Sequence, residues 1–117
     1  AIFSLTKPRG IAVVEDAAQA HGAVYKRKKI GSLASDATCF SFHPVKNLGA
    51  YGDAGAIVTN FDTLAYSLRL LINHGRTKHN THIVIGTTGR IDTLQAAILS
   101  AKLNFLHRGL MQKKTYD

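Results

Sequence analysis

Three short apolar runs in the first half of the chain have the length and composition of buried β-strands. They are Ile11–Val14, Ala37–Phe42 and Gly55–Thr59. Short runs that are rich in β-branched or aromatic residues and bounded by turn residues are typical of strands covered on both faces. The pattern therefore predicts three strands, with Asp16 at the carboxyl end of the first. The alanine-rich segment 17–23 that follows predicts a short helix or a turn.

The second half of the chain changes to helical spacing. Leucine and isoleucine recur three and four residues apart at Leu64, Leu68, Leu71 and Ile72. This period predicts an amphipathic helix, for which Asp62 would cap the start and Gly75 would end the last turn. The segment 82–85 that follows fits either a short strand or an extended loop.

A second helix is predicted near the end of the chain. Asp92–Gln95 has the form of a capping box, in which the first and fourth side chains bond to the backbone at the helix start. Behind it, Leu94, Ile98 and Ala101 would form the apolar face. We expect this helix to reach about His107, with Gly109 behind it. Strands followed by helices place the chain in the α/β class.

Length and composition fit one small globular domain. The chain has 117 residues, 45% of them hydrophobic and 19% charged, which allows a single core. No apolar run approaches the ~20 residues of a membrane helix. A single cysteine, Cys39, excludes an internal disulfide and predicts a reducing, cytoplasmic compartment. Three histidines, His74, His79 and His82, lie close together without cysteine or carboxylate partners, so we predict no metal site there.

The formal net charge is +8, which favours anionic partners. Much of it comes from the run Lys26–Lys29. Such a run is most often a solvated turn, whereas the alternative is a basic module that binds nucleic acid. Because no aromatic residues alternate with the basic ones, base stacking is not indicated and the solvated turn is favoured.

Three polar side chains follow the predicted strands: Asp16, Ser41 and Lys46. Ligands of open α/β sheets bind outside the carboxyl ends of the strands, so these side chains would surround one crevice. A lysine amine, a carboxylate and a hydroxyl are the groups that pyridoxal 5'-phosphate (PLP) needs at its aldehyde, ring nitrogen and phosphate. Gln19 could reach the same crevice. Each residue taken alone has an ordinary structural explanation, so spacing by itself leaves the question open.

Two long motifs resemble a known protein family, and this resemblance favours the PLP site over the ordinary structural explanations. The segments VVEDAAQAHGA and FSFHPVKNLGAYGDAGAIVTN occur in order, followed by LLINHG and GRIDTLQAAILSAKL. Together they closely resemble the DegT/StrS family of nucleotide-sugar aminotransferases over residues 10–106. The resemblance implies fold type I of the PLP-dependent transferases, the aspartate aminotransferase-like fold. It also implies that residues 1–117 are a central part of the large PLP-binding domain, without its N-terminal part and without the C-terminal small domain.

The resemblance assigns a role to five residues. Lys46 matches the lysine that forms the Schiff base with PLP and acts in catalysis. Asp16 matches the carboxylate at the pyridine nitrogen, and Gln19 matches the residue against the cofactor ring. Ser41 matches a phosphate-binding hydroxyl. His43 matches a position beside the cofactor that varies among aromatic residues.

The implied reaction is the transfer of an amino group from glutamate to a keto sugar on a nucleotide carrier. Some relatives carry histidine at the lysine position and act as dehydratases, so Lys46 favours transamination. The form NLGAYGDAG most resembles enzymes that act at the 3-position of dTDP-linked 6-deoxy sugars, in amino-sugar or polysaccharide biosynthesis. A homodimer is expected for the full-length enzyme, and neither a membrane nor a nucleic acid is expected as a partner.

Two positions depart from the family pattern. Arg27 stands where a turn glycine is common. Thr88 stands where the family usually has an asparagine that reaches the cofactor phosphate of the neighbouring subunit, so the resemblance does not extend that contact to this chain. These departures, with the missing parts of the fold, keep open an alternative in which the chain is a truncated, catalytically inactive remnant.

Overall fold

The computed structural model of the protein describes residues 2–78 and 80–113. Within these residues, five short strands and four α-helices follow one another along the chain, with one 3-10 helix at Lys7–Arg9. The strands are β1 (Val14–Asp16), β2 (Val24–Tyr25), β3 (Lys28–Lys29), β4 (Ala37–Ser41) and β5 (Gly55–Val58), and the helices are α1 (Ile2–Thr6), α2 (Asp62–Leu71), α3 (Thr93–Leu103) and α4 (Leu106–Lys113). Among these residues, no helix is both long and apolar enough to cross a membrane.

Three of the strands form one mixed sheet in the order β1-β4-β5. β1 runs parallel to β4, and β4 runs antiparallel to β5. All three predicted strands are therefore confirmed, although the first begins at Val14 rather than at Ile11. The reason lies in the hydrogen bonds of Val13. Its backbone N–H donates to the Asp36 carboxylate at 2.6 Å, and its C=O accepts the backbone N–H of Asp36 at 2.9 Å. The loop before β4 thus takes the hydrogen bonds that an earlier strand start would need.

The segment after β1 forms turns and not a helix. Its backbone bonds run from Ala20 to Ala17 and from Ala23 to Ala20, each spanning three residues. β2 and β3 then pair as an antiparallel hairpin whose two turn residues, Lys26 and Arg27, have φ of 46° and 65°. Two left-handed residues are typical of the tight turns that fit the twist of a hairpin. Arg27 therefore occupies a position that favours glycine.

Helix α2 confirms the first helical prediction but not its caps. Asp62 is the first helical residue, and the preceding Phe61 occupies the cap position without a side-chain hydrogen bond. The helix ends at Leu71, and Gly75 follows in the left-handed region, donating its N–H to the Leu70 carbonyl at 2.7 Å. The segment 82–85 is an extended loop, joined to Arg76 through a single β-bridge at His82.

Helix α3 begins where the capping box was predicted, but the box itself is absent. Asp92 has an extended backbone at the cap position and makes no capping hydrogen bond. The predicted apolar face is also wrong, because Leu94 is 69% exposed whereas Leu99 is buried. The chain then breaks before α4, which contains Gly109 rather than ending before it.

The described part of the molecule is a thin slab with a small core. It measures 52 × 42 × 17 Å, and its radius of gyration of 16.5 Å exceeds the value of about 13 Å for a compact chain of this length. The main cluster consists of Leu48, Ala50 and Leu99. Large apolar side chains that remain exposed include Ile2, Val14, Val45, Tyr51, Ile85 and Phe105. Much apolar surface is therefore uncovered in this part of the chain.

His21 is the most unusual buried side chain. It is 5% exposed and lies between the rings of Phe40 and Phe42, with centroid distances of 5.6 and 5.7 Å. Neither ring nitrogen has a hydrogen-bond partner among the described residues. Burial lowers the pKa of His21; the nearby Ser41 backbone opposes this shift without reaching hydrogen-bond geometry, and the charge of Lys46 adds to it.

We expect Gly75→Ala to destabilise the fold strongly. Its φ of +67° is unfavourable for any residue with a Cβ, and the added Cβ would overlap the backbone carbonyl of Val84. The expected loss is about 2 kcal/mol or more in the free energy of unfolding, measured by urea titration. Gly109→Ala is the matched control, since nothing lies within 4 Å of its added Cβ in a helix. A control as damaging as Gly75→Ala would contradict this account.

The buried imidazole predicts a pH dependence of stability. Because the pKa of His21 is lowered from 6.5 in the folded state, the unfolded chain binds more protons below that pH. Stability should therefore be full above pH 6.5 and fall as the pH decreases toward the folded pKa. Unfolding midpoints at about pH 7.5 and about pH 5.5 measure this loss, which His21→Leu should reduce. The exposed His107→Gln should leave it unchanged, and an equal loss in His21→Leu would refute the assignment.

Candidate active site

Two of the predicted site residues lie at the same edge of the sheet. Asp16 ends β1 and Ser41 ends β4, and these two strands are parallel. Asp16 pairs directly with Cys39 across the two strands. Residues paired in this way point to the same face of a sheet, and so do residues two positions apart along one strand. Asp16, Cys39 and Ser41 therefore share one face at the carboxyl ends of the strands, which we call the shared edge. Asp16 is exposed and Ser41 is half-buried.

The opposite face of the same strands carries a structural polar cluster. Glu15 accepts hydrogen bonds from Thr38 at 3.0 Å and from Ser35 at 3.5 Å, and these two hydroxyls lie 2.9 Å apart. Thr38 and Ser35 are buried. Buried hydroxyls that are satisfied in this way stabilise the packing of the strands. Glu15 and Asp16 are therefore adjacent in sequence but serve opposite faces of the sheet.

Asp16 also shapes the turn that follows β1. One carboxylate oxygen accepts the backbone N–H of Ala18 at 3.0 Å, and the N–H of Ala17 continues the ladder to the Cys39 carbonyl at 2.8 Å. A side chain that bonds to the backbone two residues on is a common turn device. Gln19 lies in this turn with an exposed side chain, and the structure shows no hydrogen bond from it to the other predicted site residues.

Lys46 follows β4 on a tight turn that begins at Ser41. The N–H of His43 donates to the Ser41 hydroxyl at 3.3 Å, and the N–H of Lys46 donates to the His43 carbonyl at 2.9 Å. Lys46 is half-buried, whereas His43 is exposed. The structure thus links Ser41, His43 and Lys46 through adjoining hydrogen bonds. Within the described residues, Lys46 and Asp16 form no ion pair.

The segment that carries Lys46 is closed at its base. Phe42 donates its N–H to the Ala54 carbonyl at 2.7 Å and accepts the N–H of Ala50 at 2.8 Å. Between these points the chain passes so close to itself that a Cβ on Gly49 would overlap the carbonyl of Pro44. Only glycine fits there. The Lys46 segment is therefore a compact loop and not a free extension of the strand.

Helix α3 contacts this loop through residues that the sequence interpretation did not assign to the site. The Gln95 side chain accepts the N–H of Tyr51 at 2.8 Å, and the Lys102 ammonium donates to the Gly49 carbonyl. Lys102 also lies 5.5 Å from the centroid of the Tyr51 ring. The spacing of Gln95, Leu99 and Lys102 along one helix face is the signal that the sequence offers, but the capping-box pattern assigns Gln95 to the helix start instead.

The histidines near the end of α2 have structural contacts. One ring nitrogen of His82 lies 2.8 Å from the His74 carbonyl, and the Thr88 hydroxyl lies 3.0 Å from Nε2 of His74. Residues 2–78 and 80–113 contain no group of three or more side chains suited to a metal ion. His79 lies outside the described residues. Thr88, the predicted departure from the family pattern, therefore has a hydrogen-bonding role of its own.

Several curated proteins related to this chain are named as aminotransferases of nucleotide-linked sugars. The chain is 52% identical over 102 residues to dTDP-3-amino-3,6-dideoxy-alpha-D-galactopyranose transaminase of Aneurinibacillus thermoaerophilus. It is 50% identical over 103 residues to UDP-2-acetamido-2-deoxy-3-oxo-D-glucuronate aminotransferase of Pseudomonas aeruginosa. The matches cover 87% and 88% of this chain and 28% of each relative. The chain thus spans less than a third of the length of these relatives.

Two solved structures superpose on this chain over about nine tenths of its length. DesV of S. venezuelae, in complex with a ketimine intermediate, superposes with a TM-score of 0.86 at 45% identity, over 92% of this chain and 29% of that one. NtdA of Bacillus subtilis, with bound cofactor PMP, superposes with a TM-score of 0.76 at 32% identity, over 90% of this chain and 24% of that one. The prediction of an aspartate aminotransferase-like, fold type I structure is therefore confirmed for the matched part.

The family assignment rests on nearly the whole chain. The sequence profile of the DegT/DnrJ/EryC1/StrS aminotransferase family matches residues 1–116. The matched region includes both strands of the shared edge and the loop that carries Lys46. The resemblance inferred from the motifs is thus confirmed, and the chain belongs to the DegT/DnrJ/EryC1/StrS aminotransferase family.

Proposed function

We propose that this chain is part of the large domain of a PLP-dependent aminotransferase that acts on a nucleotide-linked keto sugar. The observation that supports the proposal is that Asp16 and Ser41 share one face at the carboxyl ends of two parallel strands, where α/β sheets bind ligands. The turn with Lys46 follows directly from Ser41, so its amine would complete a set of carboxylate, hydroxyl and amine. Residues 1–117 would form this partial domain, and the remainder of the enzyme would supply the other parts of the site.

The donor set fits PLP. Asp16 offers an exposed carboxylate, which suits a protonated pyridine nitrogen. The Ser41 oxygen already accepts the N–H of His43, so its own proton is available to donate to a phosphate oxygen. Lys46 supplies the primary amine that the aldehyde requires. Gln19 and His43 are exposed beside this edge and would line the sides of the cofactor.

Each side chain would have a defined part in the transfer. Bound PLP supplies an electron sink for the carbon that loses its proton. The Asp16 carboxylate would hold the ring nitrogen in its protonated form, and the Ser41 hydroxyl would donate to the phosphate. The Lys46 amine would hold the cofactor at its aldehyde and, when free, would accept and return a proton at its Nζ atom. The same groups would serve the transfer to the sugar ketone.

The names of the relatives support a substrate class. Both relatives act on hexoses substituted at carbon 3, one linked to dTDP and the other to UDP. We therefore propose a 3-keto sugar substrate, of the dTDP-linked 6-deoxy type that the loop motif favours, with glutamate as amino donor. A homodimer and a cytoplasmic location belong to the same proposal; the location is consistent with Cys39 being the only cysteine.

A second candidate, kept open by the departures at Arg27 and Thr88, is a catalytically inactive remnant. A remnant would keep the motifs without a site that holds the cofactor.

Covalent trapping at lysine distinguishes the two candidates. We expect PLP to attach to Lys46 in preference to the exposed Lys26, Lys28 and Lys29, because the shared edge binds the ring and the phosphate. Borohydride fixes the bond, and peptide mass mapping identifies the lysine. Lys46→Ala should remove this label, and Asp16→Asn should weaken PLP binding by about tenfold through loss of a charged hydrogen bond.

The control for this experiment is Lys28→Ala, in the solvated hairpin. It should leave the label at Lys46 unchanged. Labelling spread over surface lysines, and unaltered by Lys46→Ala, would sink the catalytic proposal and favour the remnant.

A further inference from the structure

One face of α3 is directed at the segment that follows Lys46. Gln95, Leu99 and Lys102 are spaced four and three residues apart, so they lie on one face of the helix. All three contact the segment Leu48–Tyr51. Other positions of the same helix, such as Ser100, are exposed. The contact is therefore a property of one helix face.

The three contacts differ in kind and act on consecutive residues. Leu99 packs with Leu48 and Ala50, which are 8% and 1% exposed. The Gln95 side chain accepts the backbone N–H of Tyr51 at 2.8 Å. Apolar packing gives this contact its area, whereas the hydrogen bond specifies its register.

Lys102 adds a charged contact at the end of the same face. Its half-buried ammonium donates to the Gly49 carbonyl and lies 5.5 Å from the centre of the Tyr51 ring. A carbonyl oxygen and an aromatic face are both suitable partners for an ammonium group. Lys102 therefore joins the end of α3 to both Gly49 and Tyr51.

These contacts bear on Lys46 through the geometry of its loop. On one side the loop is joined to the sheet, because Ala50 donates to the carbonyl of Phe42. On the other side α3 holds Gly49 and Tyr51. We propose that Gln95 and Lys102 are positioning residues, which fix the Lys46 loop against α3 so that the Lys46 amine faces the shared edge. The proposal deepens the proposed function and rests on it.

Two Gln95 variants separate a positioning role from a general loss of packing. Gln95→Leu removes the acceptor for the Tyr51 N–H at similar volume, whereas Gln95→Glu keeps an acceptor oxygen. Hydrogen exchange of the Tyr51 amide should become about fivefold faster in Gln95→Leu, as expected for loss of one net hydrogen bond, and should recover in Gln95→Glu. Ser100→Ala, on the exposed face, is the control and should change nothing. If the amides of β4 exchange at an unchanged rate in Gln95→Leu, the effect of this substitution is confined to the Tyr51 contact.

The second readout is the reactivity of Lys46 toward PLP, followed by borohydride trapping in the same variants. We expect trapping at Lys46 to slow about fivefold in Gln95→Leu and to recover in Gln95→Glu, in parallel with the exchange. Lys102→Met removes the charge while keeping an apolar stem, and it should slow trapping similarly.

The outcomes are distinct. Faster exchange at Tyr51 with unchanged trapping at Lys46 would make the contact purely structural and overturn the positioning role. Unchanged exchange in Gln95→Leu would overturn the contact itself. If unmodified protein shows no trapping at Lys46, the proposed function fails and the positioning role fails with it, whereas the effect of Gln95 on exchange would still be measurable. Parallel changes that Gln95→Glu restores support the proposal.

Discussion

The parallel pairing of β1 with β4 is the constraint on which the candidate site depends. It joins strands that are about twenty residues apart in the chain, and its register sets Asp16 beside Cys39. Because side chains alternate across a strand, a slip of one residue would move Asp16 to the opposite face and bring Glu15 to the site. The polar cluster of Glu15, Thr38 and Ser35 on that opposite face opposes such a slip.

A second constraint acts on the loop beyond β4. The sheet can hold only the base of this loop, through the bonds of Phe42 to Ala50 and Ala54. The rest is held by α3, which lies more than forty residues away in the sequence. The core of the described part is small, and its main cluster lies at this contact. The packing that stabilises the fold and the geometry that presents Lys46 are therefore the same set of interactions.

The sequence interpretation succeeded where local pattern decides the structure and failed where a distant partner competes. β4 and β5 have strand composition and were predicted almost to the residue. The capping box at Asp92 failed because Gln95 bonds instead to Tyr51, and no local rule contains that partner. The apolar face of α3 was misplaced for a related reason. Leu94 and Leu99 are equally apolar, and only the position of the loop determines which one is buried.

By itself, the sequence determined the α/β class, the positions of the strands that carry Asp16 and Ser41, and the family to which the motifs belong. These follow from local composition, period and long ordered motifs. Only the tertiary structure decided that Asp16 and Ser41 share a face, that His21 is buried between two phenylalanines, and that Gln95 and Lys102 hold the loop of Lys46. Such facts depend on strand register and helix rotation, which are set by the free energy of many distant contacts acting together.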